Sequence, residues 1–509
     1  MMNLEKNKIY WLIGIATLVR IAIAFCINLG NDEVYYLTYA QHLQWNYFDH
    51  PPMVALLIRL TTLNLYCTSD VCVRLGAIIL AAWNTYLVFA IAKQIKNEKA
   101  GYIAALLYTA SLYSSIIAGV FILPDSPQLF FWLLAVSVVL KIVTSQNKNT
   151  TLNFHLIGFG ILTGLCIMSK VHGVFLWIGF GLYILFYKRS LLSNGFLYLS
   201  VVLTIVIIFP IILWNVDNNF ITYTFHSERV VINNGVDLTH LIREFTGGIL
   251  YNNPINYFLI GATLFSLYKT KTDIAAPIVR ILLLISLPLI IVVLCISIFR
   301  ATLPHWTGPA YVTLLILVAS TFEEMTLYFK QLSIRLVGFS VGLIVIISVA
   351  GCIVINNIPG TLGSKNQDTL GQGDPTLDMY NWDFFRTEFK KIHNENLKLR
   401  LTNTSFVINN KWFPGSHIDN YIVQPLHLNF IAVGKLEDIH TYAWLNKYRN
   451  KLKMGDDAYF ITFSNSFSNP KDLYLNQFDT IQLPKKVIQY RNHKPARVMY
   501  VYLLKGYKG

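Results

Sequence analysis

The sequence predicts a polytopic α-helical membrane protein with about 11 to 13 transmembrane helices and a C-terminal mixed α/β domain outside the membrane. Of its 509 residues, 54% are hydrophobic and only 13% are charged, and the mean hydropathy is +0.48. Soluble domains carry about 25% charged residues. This composition therefore excludes a cytosolic enzyme, a disordered chain, a collagen and a small disulfide scaffold. The net charge of +14 is explained by Lys and Arg in cytoplasmic loops rather than by nucleic-acid binding.

Eleven apolar runs are long enough to cross about 30 Å of hydrocarbon. They lie near residues 10 to 28, 71 to 92, 100 to 119, 126 to 144, 153 to 169, 171 to 187, 196 to 214, 249 to 268, 276 to 298, 308 to 328 and 333 to 355. The first run follows Lys6 and Lys8 but lacks the small-residue cleavage site of a secretory signal, so we interpret it as a retained anchor. The run at 52 to 64 and the turn at 170 leave the number of spans open by about two.

Lys and Arg accumulate in alternate loops, as the cytoplasmic loops of a membrane protein require. With the N-terminus inside, the inner loops hold Lys93, Lys96, Lys99, Lys141, Lys148, Lys188, Arg189, Lys269, Lys271, Lys330 and Arg335. An odd number of spans then leaves the tail on the outer side. We therefore predict a multi-pass protein of the bacterial inner membrane with its C-terminus in the periplasm.

Three polar segments fall on this predicted outer side, namely residues 29 to 70, residues 215 to 247 and the tail from 357. The tail contains short alternating runs at 405 to 408, 458 to 462 and 498 to 503, which are typical of strands between helices and turns. We therefore predict a transmembrane domain over 1 to 356, with outer loops 29 to 70 and 215 to 247, and a periplasmic domain over 357 to 509.

The first outer segment begins with a helical pattern from Asn31, which favours an amphipathic helix lying on the membrane. Pro51 and Pro52 end this pattern and start a second helix, from Met53 to Leu63. The aromatic residues of the segment favour an interfacial belt over a sugar-binding platform. They are Tyr35, Tyr36, Tyr39, Trp45, Tyr47 and Phe48.

Several polar side chains lie where a membrane protein should avoid them, and the predicted topology brings all of them to the outer face. Charge at membrane depth is costly and usually marks function. The residues are Asp32 and Glu33 after the first span, Asp125 between two prolines, Lys170 and His172 within an apolar hairpin, and Arg300, His305 and Trp306 between the ninth and tenth spans. The sequence has no glycine-rich nucleotide motif and no zinc-type Cys/His spacing. A reaction that uses a soluble nucleotide is therefore unsupported.

Each of these residues also has a structural interpretation. The carboxylates of Asp32, Glu33 and Asp125 could cap helix N-termini. Lys170 could snorkel from the end of a span, although it breaks the Lys/Arg pattern. The two histidines could be ordinary interface residues, and Arg20 within the first span is interpreted as a snorkelling or structurally paired residue. Cys67 and Cys72 either form a short disulfide on the outer side or stay free thiols.

Five segments carry a resemblance to a known family. They are Gly30-Asn31-Asp32-Glu33-Val34-Tyr35-Tyr36, Tyr47-Phe48-Asp49-His50-Pro51-Pro52, Leu123-Pro124-Asp125, Ser169-Lys170, and Leu303-Pro304-His305-Trp306 with Pro309-Ala310-Tyr311. In this order, over about residues 1 to 330, they resemble the bacterial relatives of the protein O-mannosyltransferases. That group includes the aminoarabinose transferase of lipid A and belongs to the GT-C superfamily of membrane glycosyltransferases. Residues 374 to 380 also resemble a segment of such proteins.

The resemblance implies a hexosyl- or pentosyltransferase that moves a single sugar from a polyprenyl-phosphate donor to an acceptor at the outer face of the inner membrane, usually with inversion. In such a reaction Asp32 would act as general base or stabilise charge at the anomeric carbon, with Glu33 and Asp125 as further carboxylates. Lys170 and Arg300 would hold the donor phosphate. The predicted substrate-binding set is completed by Asp49, His50, His172, His305 and Trp306.

The sugar, the acceptor and metal dependence are left open by the sequence. Lipid A, a surface glycan and a protein hydroxyl are all compatible acceptors. No DxD-type motif stands out, so a divalent metal is an option whose candidate ligands are His50, His226, His240 and His305. A transporter for a polyprenyl lipid or a solute is the main rival, and a structural subunit is the other. Transporters often show two related halves and broken helices near the midplane, whereas here the polar residues gather at one face.

Overall fold

The structure is a computed structural model that describes residues 2–509 except for 146–149, 231–234, 271 and 325–326. Lys148 and Lys271 of the predicted inner loops lie outside the described residues. By its internal contacts the chain forms two compact units. Unit 1 comprises Met1–Ile23 and Leu43–Ser348, and unit 2 comprises Ala24–His42 and Val349–Gly509.

Helices dominate the first 357 residues. In chain order they are α1 (Met2–Cys26), α2 (Asn31–Gln41), α3 (Met53–Thr61), α4 (Asp70–Ile95), α5 (Glu98–Ala110), α6 (Asp125–Thr144), α7 (Thr150–Ser169), α8 (Val174–Tyr187), α9 (Gly195–Asp217), α10 (Ile221–Val230), α11 (Leu238–Tyr251), α12 (Pro254–Lys269), α13 (Ala276–Ser297), α14 (Gly308–Thr321) and α15 (Leu327–Asn357). A π-helix over Tyr113–Ile117 follows α5, and 3₁₀ helices over Val171–Gly173 and Pro304–Thr307 precede α8 and α14.

The predicted apolar runs all fall on helices. Among the described residues, seven helices are long and apolar enough to cross a membrane: Asn7–Cys26, Asp70–Ile95, Asp125–Thr144, Thr150–Ser169, Gly195–Asp217, Ala276–Ser297 and Gln331–Asn357. A shorter apolar stretch covers Val171–Tyr187. The remaining runs form α5, α12 and α14, which are shorter than the roughly 20 residues of an average span. A polytopic helical membrane protein is thereby confirmed.

Close helix contacts in unit 1 depend on small residues. A Cβ added at Gly160 of α7 would lie 2.2 Å from the carbonyl oxygen of Ser200 in α9. The hydroxyl of Thr204 in α9 donates a hydrogen bond of 2.7 Å to the Gly160 carbonyl across the same contact. Small residues and interhelical hydrogen bonds are what drive helix association in a membrane, where apolar burial alone gives little. Glycine at this position therefore lets α7 and α9 pack backbone to backbone.

The helix boundaries in the first outer segment are close to the prediction, but the prediction of its environment is wrong. Helix α2 does not have a lipid-facing apolar stripe, because all of its residues from Glu33 to Ala40 are buried. It packs within unit 2, where the rings of Tyr35 and Trp412 lie 4.8 Å apart. Tyr36 and Tyr39 are buried as well and form no aromatic belt. Of the remaining predicted belt residues, Tyr47 and Phe48 are buried, and Trp45 is 66% exposed.

Unit 2 contains the predicted mixed α/β fold. Its elements beyond α15 are α16 (Trp382–Lys398), β1 (Phe406–Asn409), α17 (Trp412–His417), β2 (Asn429–Ala432), α18 (Leu436–Ile439), α19 (Tyr442–Leu445), β3 (Ala458–Phe463), α20 (Pro470–Tyr474), β4 (Phe478–Ile481), β5 (Lys485–Arg491) and β6 (Lys494–Tyr507). The strand order is β2-β1-β3-β6-β4, and β5 also pairs with β6. Strands β1, β2 and β3 are parallel, whereas β6 is antiparallel to its neighbours.

A buried ion pair holds the start of the tail to this sheet. The guanidinium of Arg491 lies 2.9 Å from Asp374, and both side chains are fully buried. Arg491 also donates to the carbonyls of Ile355 and Gly360, at 3.1 and 2.9 Å. Buried charges require such full hydrogen bonding. Within unit 2, the resemblance segment that begins at Asp374 therefore serves as an anchor between the end of α15 and the sheet.

Cys67 and Cys72 are joined by a disulfide, with 6.0 Å between their Cα atoms. The bridge spans the turn before α4, whose N-terminus is capped by the Ser69 hydroxyl accepting from the Cys72 amide at 3.4 Å. The alternative that the sequence left open is thus resolved in favour of the bridge.

Candidate active site

A buried ion pair between Asp125 and Lys170 forms the centre of the charged residues in unit 1. The Lys170 ammonium donates to both carboxylate oxygens of Asp125, at 2.9 and 2.8 Å, and each side chain is only 3% exposed. Asp125 is the first residue of α6, where Pro124 precedes it, and Lys170 follows the last residue of α7. Lys170 therefore points inward and does not snorkel. Two prolines and a helix end place the two charges opposite each other.

Three histidines from separate parts of the sequence surround this pair. The imidazoles of His172 and His305 act electrostatically on Asp125, and that of His50 interacts with both Asp125 and Lys170. His172 also contacts Trp306, with ring centroids 5.3 Å apart. The structure therefore brings together residues that the sequence places in four separate segments.

Burial keeps two of these imidazoles neutral. Desolvation lowers the pKa of His50 to about 4, and Lys170 lowers it further while the Asp49 carboxylate opposes the shift. Desolvation also lowers the pKa of His305 to about 4, where Lys170 adds to the effect and Asp125 opposes it. At neutral pH each ring therefore carries one N–H donor and one nitrogen acceptor.

The Asp49-His50 segment is held by helix α10. The His226 ring donates from Nε2 to the Asp49 carbonyl at 2.6 Å, and the rings of His50 and His226 lie 6.0 Å apart. The hydroxyl of Thr222 donates to the Tyr47 carbonyl at 3.0 Å. These bonds fix the loop before the double proline, so that His50 faces the ion pair.

Two buried groups in this region had no signal in the sequence. The hydroxyl of Tyr113 donates to Asp125 Oδ1 at 3.4 Å. Glu244 of α11 is buried and accepts a hydrogen bond of 2.6 Å from the Thr302 hydroxyl, and burial raises the pKa of its carboxyl group. Tyr113 is one aromatic residue among many in an apolar run, and Glu244 lies in a polar segment. Neither position stands out by composition or spacing.

Arg300 lies in the turn between α13 and the 3₁₀ helix that carries His305. Its side chain is half-buried, and its amide donates to the Ile296 carbonyl at 3.0 Å. The α13 end and the Pro304 turn thus place Arg300 on the same segment as His305 and Trp306. Its role at a phosphate stays a prediction.

Asp32 and Glu33 lie in the first turn of α2, in unit 2. Glu33 is buried, and its Oε2 accepts a hydrogen bond of 2.9 Å from the Gly30 amide, which is the helix-capping arrangement. Asp32 is exposed and interacts electrostatically with the buried carboxyl group of Asp378. Burial raises the pKa of Asp378 to about 7, an effect that Arg497 opposes and Asp374 and Asp32 reinforce. The predicted catalytic carboxylates therefore fall into two groups, Asp125 in unit 1 and the Asp32-Glu33 pair in unit 2.

Within the described ranges, no three His, Cys, Asp or Glu side chains are placed to hold a metal ion. Of the four candidate ligands, His240 lies with Nε2 3.5 Å from the Asp237 carboxylate, and His50, His226 and His305 are placed as described above.

Part of the chain is similar to known glycosyltransferases. A family model described as dolichyl-phosphate-mannose-protein mannosyltransferase matches residues 49–214, a range that includes His50, Asp125 and Lys170. The lipid A galacturonosyltransferase RgtD of Rhizobium johnstonii is 23% identical over 284 residues, which make up 55% of this chain. The matched region spans 58% of the length of that relative.

Solved structures share the fold over 90% or more of the chain. ArnT from Cupriavidus metallidurans bound to undecaprenyl phosphate matches with a TM-score of 0.60 and 13% identity, over 97% of this chain and 98% of that one. The oligosaccharyltransferase of Archaeoglobus fulgidus, tethered to an acceptor peptide, gives a TM-score of 0.50 at 13% identity, over 90% of this chain and 69% of that one. The resemblance drawn from the sequence is confirmed: the protein has an ArnT-like GT-C fold and is related to the GT-C glycosyltransferases.

Proposed function

We propose that the protein transfers a single sugar, with inversion, from a polyprenyl-phosphate donor to an acceptor at the outer face of the bacterial inner membrane. The observation that carries the proposal is the buried Asp125–Lys170 pair, surrounded by neutral imidazoles in the membrane unit. Two relatives support the direction of the proposal. ArnT, which shares the fold, was captured with undecaprenyl phosphate, and RgtD is named for transfer to lipid A.

The donor side of the reaction needs a cation that stays at membrane depth. When the glycosyl bond breaks, negative charge develops on the departing phosphate, and a fixed ammonium group stabilises that charge. Asp125 takes two of the three N–H groups of Lys170, and we assign the third to a phosphate oxygen. The N–H groups of His50 and His305 and the guanidinium of Arg300 add hydrogen bonds to the same phosphate.

The acceptor side needs a base for the attacking hydroxyl. Asp32 is assigned this role because its carboxylate is exposed, whereas the Glu33 carboxylate is used to cap α2. In a single displacement the acceptor oxygen forms a bond to the anomeric carbon as the phosphate leaves with the bonding electrons. The hydroxyl proton passes to Asp32. The sugar is a hexose or a pentose, and the acceptor is lipid A, a surface glycan or a protein.

The test is transfer from a labelled donor by the purified protein. Full-length protein in lipid nanodiscs is incubated with a radiolabelled polyprenyl-phosphate sugar and an extract of bacterial membranes. We expect polyprenyl phosphate to be released and the label to move to another molecule. Lys170→Met should abolish this transfer, whereas Lys93→Met, which removes a surface ion pair with Glu98, should leave it intact. Donor that stays unaltered in this assay, but is moved across the membrane of sealed proteoliposomes containing the protein, would instead identify a transporter and overturn the proposal.

A further inference from the structure

The chain between α5 and α6 departs from α-helical geometry inside the membrane unit. The helix ends at Ala110 and a π-helix over Tyr113–Ile117 follows, so that carbonyl groups at the end of α5 lose their usual partners. Side chains replace them. The Ser114 and Ser115 hydroxyls donate to the carbonyls of Tyr108 and Thr109, and the Asn253 amide donates to the Ala110 carbonyl at 3.0 Å. Irregular backbone at membrane depth is tolerated only when it is satisfied in this way.

Two further contacts fix the π-helix in place. The Arg20 guanidinium, buried in α1, donates from Nε to the Ser115 carbonyl at 3.4 Å. On the other side, the ring of Tyr113 lies against Gly308 at the start of α14, where an added Cβ would come within 2.2 Å of the ring. Arg20 therefore has a structural partner in the backbone, and only glycine at 308 leaves room for the ring. Together these contacts hold the Tyr113 side chain in one position.

That position brings the Tyr113 hydroxyl to the ion pair. It donates to Asp125 Oδ1 at 3.4 Å, and the whole side chain is buried. The same carboxylate oxygen accepts from Lys170 at 2.9 Å. At 3.4 Å this hydrogen bond is longer than the two that Lys170 donates to the same carboxylate.

We propose that Tyr113 is a positioning residue of the phosphate-binding group: the π-helix presents its hydroxyl to Asp125, which in turn orients the ammonium of Lys170 toward the donor phosphate. The inference rests on the proposed function. The third N–H of Lys170 has a fixed direction only when both oxygens of Asp125 accept hydrogen bonds from the ammonium group. Without the Tyr113 hydroxyl the carboxylate can rotate, and the ammonium then samples several directions. Misplacement of this kind weakens binding and catalysis without unfolding the protein.

The experiment measures the dissociation constant for polyprenyl phosphate with the full-length protein in lipid nanodiscs. Tyr113→Phe keeps the ring and removes the hydroxyl, and we expect the dissociation constant to rise about tenfold, the scale of a hydrogen bond to a charged group. Tyr442→Phe is the matched control, because the Tyr442 hydroxyl is also buried and donates at 3.2 Å to an ion-paired carboxylate, that of Asp419 with Arg449 in unit 2. It should leave the dissociation constant unchanged.

A double-mutant cycle separates positioning from packing. If Tyr113 acts through Asp125, then Tyr113→Phe should have no further effect on the dissociation constant in an Asp125→Asn background. Equal effects in both backgrounds, or a lowered unfolding midpoint with unchanged binding, would overturn the inference. Should Tyr113→Phe fail to fold, Gly308→Ala gives the second test, because its Cβ displaces the same ring.

The same measurement distinguishes this inference from the function on which it rests. A wild-type protein that binds polyprenyl phosphate no better than the uncharged polyprenol of equal length would contradict the phosphate-binding group, and the role of Tyr113 with it. A wild type that prefers the phosphate, with a Tyr113→Phe variant that binds as tightly as the Tyr442→Phe control, would overturn the role of Tyr113 alone.

Discussion

At the scale of single residues, burial of the Asp125–Lys170 pair is unfavourable in free energy. Burying each ion costs several kcal/mol, and replacing such a pair by apolar residues is often neutral or stabilising. The pair is 3% exposed and lies at the ends of two apolar helices. Stability therefore does not explain the pair, and the proposed role in binding an anionic substrate would account for it.

Asp32 is expected to be essential for transfer but not for donor binding. Removal of a general base typically costs a factor of about 10² or more in rate. Asp32→Asn should therefore lower transfer at least about a hundredfold, while polyprenyl phosphate binds with wild-type affinity. Asp383→Asn, which removes an exposed carboxylate of α16, is the control. Wild-type turnover by Asp32→Asn would contradict the assignment of Asp32 as the general base.

Lys170 and Arg300 are expected to act on one phosphate. Lys170→Ala and Arg300→Ala should each weaken binding of the donor lipid. The double variant should lose less affinity than the sum of the two free-energy changes, because both side chains contact one group. Binding titrations of the three variants decide the matter. Small and strictly additive losses would argue that the two cations serve separate purposes.

The buried carboxyl group of Asp378 predicts a pH dependence of stability. Its pKa is raised to about 7 by burial, with Asp374 and Asp32 adding to the shift and Arg497 opposing it. In the unfolded chain the group loses its proton near 3.8. The folded state thus binds more protons between these values, so the free energy of unfolding should fall as pH rises from about 4 to about 7. The slope contributed by this group is at most about 1.4 kcal/mol per pH unit.

Asp378→Asn tests this directly. Its unfolding midpoints at pH 4.5, 6 and 7.5 should decline less with rising pH than those of the wild type, whereas Asp383→Asn should retain the wild-type slope. The comparison between variant and wild type matters because other groups titrate as well. Burial lowers the pKa of His417 to about 3, which gives the opposite slope in acid. Identical slopes in wild type and Asp378→Asn would exclude Asp378 as the source.

At the scale of elements, the sequence predicts what depends on local pattern. Apolar runs marked the helices, and Pro51 and Pro52 correctly separated α2 from α3. The burial of α2 was missed because it depends on Trp412, nearly 400 residues later. The π-helix was missed for the same kind of reason, since its partners are distant in the sequence: Arg20 lies on α1 and Asn253 precedes α12. Long-range contacts, rather than local propensity, therefore decide the parts that a single sequence does not reveal.

The disulfide before α4 should contribute modestly to stability. It closes a loop with a sequence separation of 5. A bridge of this size lowers the conformational entropy of the unfolded chain by an amount that corresponds to about 2 kcal/mol of stabilisation. Replacing Cys67 and Cys72 by serine should lower the free energy of unfolding by about that amount and leave transfer unchanged. Cys26→Ser, at an exposed free thiol, is the control. Complete alkylation of both thiols without prior reduction would contradict the bridge.

At the scale of the whole molecule, orientation follows from charge. Lys and Arg lie in alternate loops, so we expect residue 145 on the cytoplasmic side and residues 60, 230 and 450 on the periplasmic side. Single cysteines at these positions, in a protein lacking the free thiols of Cys26, Cys166, Cys295 and Cys352, can be labelled in intact and permeabilised cells. Labelling of residue 450 only after the inner membrane is permeabilised would place the tail in the cytoplasm. Such a result would contradict a transfer reaction at the periplasmic face.

The composition of unit 2 has a consequence for how the protein is made. Its buried helix α2 comes from residues near the start of the chain, whereas the side chains that cover it come from the last third. At roughly 5 to 20 residues per second, translation reaches Trp412 about 19 to 74 s after the end of α2 has been synthesised. Throughout this interval Tyr35, Tyr36 and Tyr39 are uncovered. During biogenesis α2 is therefore exposed until the C-terminal part of unit 2 has been synthesised. In this interval a chaperone or the lipid surface must cover its aromatic side chains.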